Sequence, residues 1–334
     1  TELTLSNGVK VYFKKTDYQK DAVVMNFFGE GGSSLYPDKD VLNTKFISTA
    51  VKEGGVGRFS STELNKVLSD KTVRINAGVG IETQSISGSS SLKDVRTLFE
   101  LTYLYFTHLR RDDQAFNAEL NRMRSFLTNR EASPNVSYND SIASIVYGNS
   151  PRVQPVKASS IDKVSYDRVL QIYKERFSNA SNFKMIIMGN IELSQLQPLL
   201  EQYIASLPAT GKKESFVKSY PDVRNCNETH RFEKQMKTPL ARVSIFYTWD
   251  EPYTAKADLA LDVFKRVLSI AYTDSVREEK GGVYGVKLQE SLEQSSNPHA
   301  LLKIAFDTDP DKYDVVMPII TGQIEHIARK GPEA

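Results

Sequence analysis

At 334 residues, the chain is long for a single hydrophobic core, and its length predicts two domains of ordinary size. Its 43 Lys and Arg residues nearly balance 41 Asp and Glu residues, and the net charge of +2 gives no electrostatic reason to expect nucleic-acid binding. A single cysteine, Cys226, excludes an internal disulfide, and no apolar run approaches the roughly 18 residues that a membrane span needs.

The first part of the chain carries strand and turn signals, followed by helical periodicity. Alternating residues on both sides of a turn at 6–8 predict a hairpin, and "AVVMNFFGE" predicts a third strand. Helical periodicity covers 41–51, and another helix is predicted after Ser60, because Glu63 completes a capping box with it. The segments "TVRINAGVGI" and "TQSISGSSS" predict a second hairpin.

Longer helices dominate the rest of the first domain, which we predict to span 1–207. Amphipathic patterns place them at about 92–108, 113–130 and 166–177. The strand "NFKMIIMGNI" follows, and its nearly continuous apolar run predicts burial on both faces. A helix at 193–207 completes this domain.

Residues 208–220 are polar and lack a period, so we predict a linker there and a second domain at 221–334. After the linker the pattern restarts with "ARVSIFYTW", a long helix, the strands "VYGVKLQES" and "ALLKIAFDT", and a last helix. The repeated order predicts an α+β fold of two related repeats, each a mostly antiparallel sheet with helices on one face. The first repeat has roughly 100 further residues at the corresponding point, so we expect the second repeat to be truncated.

Several kinds of catalytic site are excluded by motif and spacing. The four histidines show no pair at zinc-binding spacing, and "HRFEK" offers only His230 and Glu233 on a strand-like segment. The glycines at 29–32 lack the Lys-Ser/Thr of a phosphate loop, and no Gly-x-Ser-x-Gly elbow is present. Taken alone, the chain carries no complete catalytic set.

The duplication, "VREEKGGVYG" and "YKERFSNASNFKMIIMGNIELSQLQPLLEQYIASLP" together resemble one family, the pitrilysin/insulinase-type zinc metallopeptidases. The second of these segments resembles the bacterial envelope zinc-protease branch in particular. The resemblance implies an enzyme of two halves, each a pair of α+β repeats, that close around a peptide. It also implies zinc in the N-terminal half, a C-terminal half without zinc, and a periplasmic or cell-envelope location.

The chain resembles the non-catalytic half, because the family's inverted His-x-x-Glu-His motif is replaced. Alignment on the glycines places "KFIST" at the motif, with Lys45, Ser48 and Thr49 at the His, Glu and His positions. The third zinc ligand of the family falls near Phe126, and Glu119 stands where the family often has a second acidic residue. The resemblance thus implies no metal and no cofactor in this chain, with zinc confined to the full enzyme.

Arg277 and Tyr284 stand seven residues apart, at the end of the long helix and the start of the next strand. In the family, an Arg and a Tyr with this spacing and setting bind the substrate backbone, and the Tyr donates to the oxyanion. The residues alone allow a plainer interpretation, since Arg suits a helix C-terminus and Gly-Gly ends helices. Strict strand alternation also groups Tyr284 with Val286 and Leu288, as a core tyrosine would be.

The resemblance implies a C-terminal, substrate-binding half of a zinc metalloendopeptidase, inactive in isolation. Its partners would be an N-terminal catalytic half, on the same polypeptide or a separate subunit, and an extended peptide added to a sheet edge as a strand. The alternative is a binding or assembly subunit with the same fold and no catalytic partner. Retention of Arg277 and Tyr284 favours the enzyme, because a scaffold needs no oxyanion donor.

Overall fold

The computed structural model describes residues 1–219, 221–224, 226–278, 283–293 and 298–331. Its contacts divide the chain into two units. The first unit comprises Thr1–Ser133 and Ser150–Tyr220, and the second comprises Pro134–Asn149 and Pro221–Ala334. The second unit therefore takes one segment from within the first half of the sequence, which a division into two contiguous domains does not anticipate.

The first unit is built on a six-stranded sheet in the order β1-β2-β6-β3-β5-β4. Neighbouring strands are antiparallel except for β2 and β6, which run parallel. Both predicted hairpins, β1-β2 and β4-β5, are therefore confirmed, as is the mostly antiparallel sheet. The strands are β1 (Glu2–Thr4), β2 (Lys10–Lys15), β3 (Val23–Glu30), β4 (Val73–Val79), β5 (Thr83–Ser90) and β6 (Phe183–Gly189).

Most helices that precede residue 208 begin and end close to the predicted bounds, but the helix predicted at 41–51 is split into α1 and α2, and α6 was not predicted. The capping box forms as predicted: Glu63 N donates to Ser60 Oγ at 3.3 Å, and Ser60 N donates to Glu63 Oε2 at 2.8 Å. The helices are α1 (Val41–Thr44), α2 (Ile47–Gly54), α3 (Ser61–Val67), α4 (Val95–Thr107), α5 (Asp113–Glu131), α6 (Pro134–Tyr147), α7 (Tyr166–Arg176) and α8 (Leu193–Leu199), which continues as a π-helical turn (Leu200–Ile204).

Strand β6 corrects one prediction, because it is buried on one face only. Its residues alternate between buried and exposed, and Ile186 and Met188 are 37% and 44% exposed. Val24 on the adjacent strand β3 is likewise 46% exposed. The helices of the first unit cover the opposite face, where Phe27 and Phe183 pack with ring centroids 4.7 Å apart. A run of apolar residues therefore did not mean two covered faces.

The predicted linker is tied to the first unit by hydrogen bonds, although its described residues, 208–219, form no helix or strand. The buried guanidinium of Arg176 donates to Glu214 Oε2 at 2.8 Å and to the Tyr36 hydroxyl at 3.0 Å. Val217 N donates to Ser34 Oγ at 3.0 Å. These polar contacts account for an ordered path without apolar periodicity.

The second unit contains a three-stranded antiparallel sheet in the order β7-β9-β8. The same order, β3-β5-β4, occurs at one side of the first sheet, so the duplicated α+β arrangement is confirmed. The segment 230–234, which alternates like a strand in sequence, forms no strand. The elements are β7 (Ala241–Trp249), α9 (Ala255–Glu278), β8 (Val283–Leu292), β9 (Ala300–Thr308) and α10 (Tyr313–Lys330).

The core of the second unit lies between its sheet and the helices α9 and α10. Leu268 and Tyr272 of α9 pack with Ile304 and Phe306 of β9 and with Ile320 of α10. The Tyr272 hydroxyl donates to the carbonyl of Ile320 at 2.8 Å, so the buried phenol is satisfied. This core fixes the end of α9 relative to β8 and β9.

Candidate substrate-binding site

The two residues singled out by the sequence lie on either side of one helix-to-strand turn. Arg277 lies in the last turn of α9, one residue before its end, and Tyr284 is the second residue of β8. Residues 279–282 lie outside the described part of the chain, and so do the side chains of Arg277 and Tyr284. The roles predicted for these two side chains therefore stay predictions.

The backbone at Tyr284 does not follow regular strand alternation. Val283 pairs with Thr308 and Val286 pairs with Phe306, so three steps along β8 match two steps along β9. This register shift is a β-bulge, in which two residues of one strand stand opposite one residue of the other. The alternation that would group Tyr284 with Val286 is thus interrupted between them, and the argument for a core tyrosine loses its premise.

Gly285 supplies the backbone freedom that this irregular stretch needs. Its φ is +131°, a conformation that residues with a Cβ rarely adopt. Apart from its chain neighbours, no described residue has an atom within 4 Å of the place where a Cβ would stand, so the requirement for glycine comes from the backbone conformation. Tyr284 and Gly285 thus interrupt the regular pairing of β8 with β9.

The residue opposite the bulge is Asp307, which is held by a paired arginine. Arg242 of β7 is the register partner of Asp307 on its other side. Arg242 Nε donates to Asp307 Oδ1 at 2.8 Å and its second nitrogen donates to Oδ2 at 2.7 Å. These hydrogen bonds lower the pKa of the Asp307 carboxyl by more than its partial burial raises it. The pair is therefore ionised and fork-shaped, the strongest form of carboxylate contact.

Helix α6 packs on the same face of the second sheet. The Tyr138 hydroxyl donates to Ser244 Oγ at 2.8 Å, and Asn135 Oδ1 accepts from the Arg242 guanidinium. The guanidinium carbon of Arg242 also lies 6.0 Å from the Tyr138 ring centroid. Sequence analysis did not predict this helix, because "PNVSYNDSIASIVY" is rich in polar β-turn formers and its apolar stripe is weak. The Pro at its first position was the available signal.

Strand β8 lies at one end of its sheet. In the described residues it pairs with β9 alone, so the far edge of β8 presents backbone donors and acceptors. An edge of this kind can accept an extended peptide as an added strand, and side chains beside it can then contact the peptide. Tyr284 and Gly285 stand at the beginning of this edge.

The positions that align with the zinc motif are occupied by structural side chains. Lys45 lies between α1 and α2, and its Nζ donates to the carbonyls of Pro151 at 2.9 Å and Gln154 at 2.6 Å. Burial lowers the pKa of Lys45. Ser48 is exposed on α2 and Thr49 is half-buried. Because the helix is interrupted at Lys45, the three side chains do not share one continuous helix.

The other aligned positions offer no metal site either. Phe126 on α5 is 64% exposed, and Glu119 forms an ion pair with Arg122 three residues later. His230 contacts the Glu228 carboxylate at 2.9 Å on the exposed surface. Among the described residues, no three His, Cys, Asp or Glu side chains lie close enough together to hold a metal ion.

Comparison with known proteins gives consistent matches over most of the chain. A family profile described as "Peptidase M16 inactive domain" matches residues 163–334. The chain is 22% identical over 330 residues to "Probable zinc protease PqqL" of Haemophilus influenzae, with 99% of the chain and 35% of that protein covered. It is 26% identical over 349 residues to "Zinc protease PQQL-like" of Arabidopsis thaliana, with 99% and 34% covered. The chain thus spans about a third of the length of these curated relatives.

Solved structures show the same fold at low sequence identity. The crystal structure of the periplasmic protease PqqL from Escherichia coli superposes with a TM-score of 0.85 at 20% identity, covering 98% of this chain and 36% of that one. The peptidase M16 inactive domain from Pseudomonas fluorescens superposes with a TM-score of 0.72 at 13% identity, covering 100% and 80%. No helix in the described ranges has the length and apolar character needed to cross a bilayer.

Proposed function

The chain belongs to the peptidase M16 family through its inactive domain, and we propose that it is the substrate-binding half of a two-half zinc metalloendopeptidase. The N-terminal half of that enzyme, on the same polypeptide or a separate subunit, binds zinc and cleaves the peptide. The names of the curated relatives as zinc proteases support this chemistry. The periplasmic location of the Escherichia coli protease supports a periplasmic or cell-envelope location for this chain.

The residues at the positions aligned with the family's zinc site do not fit a zinc ion. Lys45 is a cation engaged with two carbonyls, and Phe126 offers no donor atom. Ser48 and Thr49 carry neutral hydroxyls, which are poorer zinc ligands than thiolate, imidazole or carboxylate. Zinc in the other half would polarise the scissile carbonyl and activate water, and this half would bind and orient the peptide.

Arg277 and Tyr284 are the residues to which we assign this task. The observation that carries the assignment is the bulge at Tyr284–Gly285, next to the end of α9 and at the edge of the sheet. Bulges often occur beside active sites, where they re-aim a side chain. In the closed enzyme the Tyr284 hydroxyl donates a hydrogen bond to the oxyanion, and the Arg277 guanidinium holds a substrate carbonyl.

Tyr284→Phe tests the assignment, because it removes one hydroxyl and almost no volume. Loss of one oxyanion donor typically lowers the rate by about 10²–10³, so we expect kcat to fall by that order with little change in KM. The measurement is steady-state peptide hydrolysis by the full-length enzyme, with equal zinc content established for each variant. Tyr253→Phe, at a tyrosine that is 38% exposed outside the elements of the site, is the matched control and should leave kcat unchanged.

Arg277→Ala should act differently from Tyr284→Phe. A guanidinium that holds a substrate carbonyl binds the ground state and the transition state alike, so its loss should raise KM more than it lowers kcat. Unchanged kcat for Tyr284→Phe together with unchanged KM for Arg277→Ala would contradict the assignment. That result would favour the alternative, a binding or assembly subunit with the same fold.

A further inference from the structure

We propose that the Arg242–Asp307 ion pair positions Tyr284, by holding in place the strand segment against which the bulge of β8 is formed. The proposal rests on the function proposed above and extends it to two residues beyond the Arg277 and Tyr284 pair. Both residues belong to the second unit. Asp307 lies on β9, opposite the bulge of β8, and Arg242 lies on β7, which pairs with the other side of β9.

The register of the three strands places Asp307 opposite the bulge. Val283 pairs with Thr308, and Val286 pairs with Phe306. The residue between Thr308 and Phe306 is Asp307, so Tyr284 and Gly285 both stand opposite it. An extra residue disrupts the ladder of backbone hydrogen bonds locally. The geometry of the bulge therefore depends on the opposing strand more than a regular pair would.

Asp307 is also held from the side of β9 that faces β7. Arg242 binds both of its carboxylate oxygens, at 2.8 and 2.7 Å, across the β7–β9 pairing. Two parallel hydrogen bonds fix the orientation of both planar groups, which a single contact would not do. Thr308 beside it is fully buried, so the Asp307 backbone is held on its C-terminal side as well.

Helix α6 in turn contacts the guanidinium of Arg242. Asn135 accepts from the Arg242 guanidinium, and the Tyr138 ring lies beside the same group. Among the described residues, Lys287 of β8 is a second cation near Asp307, and its charge also lowers the pKa of the Asp307 carboxyl. Asp307 thus lies between a cation on β7 and a cation on β8, and this arrangement links α6 to the strand that carries Tyr284.

Asp307→Asn is the variant that tests the proposal in the full-length enzyme. It keeps the shape of the side chain but removes its charge and one of the two acceptor oxygens. Misplacing a reacting group by about 1 Å costs up to about 10²-fold in rate, so we expect kcat to fall by about 10-fold to 100-fold while KM stays close to wild type. A purely structural pair would change the melting temperature without this split between kcat and KM.

The double variant shows whether Asp307 acts through Tyr284. If it does, Asp307→Asn should lower kcat in the wild type but have little further effect in a Tyr284→Phe background, because the positioned hydroxyl is already absent. Equal fold losses in both backgrounds would overturn the proposal. So would wild-type kcat for Asp307→Asn when Tyr284→Phe alone is slow, a result that leaves the proposed function intact.

Conservative and matched variants complete the experiment. Arg242→Lys retains the charge but not the fork, so it should recover part of the kcat that Arg242→Met loses. Asp40→Asn is the control, because Arg168 binds both oxygens of Asp40, at 3.2 and 2.7 Å, in the first unit. A fall in kcat with Asp40→Asn equal to that with Asp307→Asn would overturn the proposal. If Tyr284→Phe itself leaves kcat unchanged, the oxyanion role assigned to Tyr284 fails and this inference fails with it.

Discussion

Lys45, which the resemblance predicts to stand at a metal-ligand position of the family, makes structural contacts in this chain. Its ammonium group donates to the carbonyls of Pro151 and Gln154, and burial lowers its pKa from the ordinary value of 10.5. The folded state therefore releases this proton at a lower pH than the unfolded chain does. At pH values just below 10.5 the unfolded state binds more protons at Lys45 than the folded state does. The wild-type protein therefore gains stability as the pH rises through this range.

Lys45→Met should lack this gain. We expect the difference in free energy of unfolding between wild type and Lys45→Met to change in favour of the wild type as the pH rises from neutral to about 10. Urea unfolding at a series of pH values measures it. Lys52→Met on α2 is the control for the loss of a lysine charge, because the Lys52 side chain is 75% exposed. Parallel pH profiles for the wild type and Lys45→Met would contradict the prediction.

At the scale of the element, the bulge in β8 depends on one glycine. Gly285 has φ +131° and open space around its Cβ position, so Gly285→Ala should destabilise the fold by about 1–3 kcal/mol through backbone strain alone. Gly322 lies in α10 with equally open space and no unusual φ, and Gly322→Ala should stabilise by about 0.5–1 kcal/mol. Urea unfolding compares the two variants, and equal effects would mean that β8 contains no strained glycine.

At the scale of the whole molecule, metal content separates this half from the half that we expect to carry zinc. We expect the purified chain to retain no stoichiometric zinc after dialysis and to cleave no peptide, because Lys45, Ser48, Thr49 and Phe126 stand at the positions of the motif and of the third zinc ligand. Elemental analysis, with a zinc protease as positive control, measures this directly. One zinc per chain held by protein ligands would contradict the expectation and the assignment of the zinc site to the other half.

The predicted division of the whole chain into 1–207, a linker at 208–220 and 221–334 stays a prediction. The contacts place Pro134–Asn149 with the second unit, although it lies within the first predicted domain. No local sequence pattern predicts that this segment belongs to the second unit, because a helix with a weak apolar stripe does not indicate which sheet it covers. The polar linker was visible in composition, while its attachment through Arg176 and Glu214 was not.

The sequence by itself determined the α+β class, the duplication, both hairpins, the capping box and the family. The class, the hairpins and the capping box rest on local periodicity, turn chemistry and short-range spacing, which neighbouring residues encode directly, whereas the family rests on the resemblance of two segments to known sequences. Only the tertiary structure decided that β6 has one exposed face, that α6 belongs to the second unit, and that β8 is bulged at Gly285. Each of these depends on what packs or pairs across long sequence separations, and the register opposite Asp307 cannot be read from β8 alone.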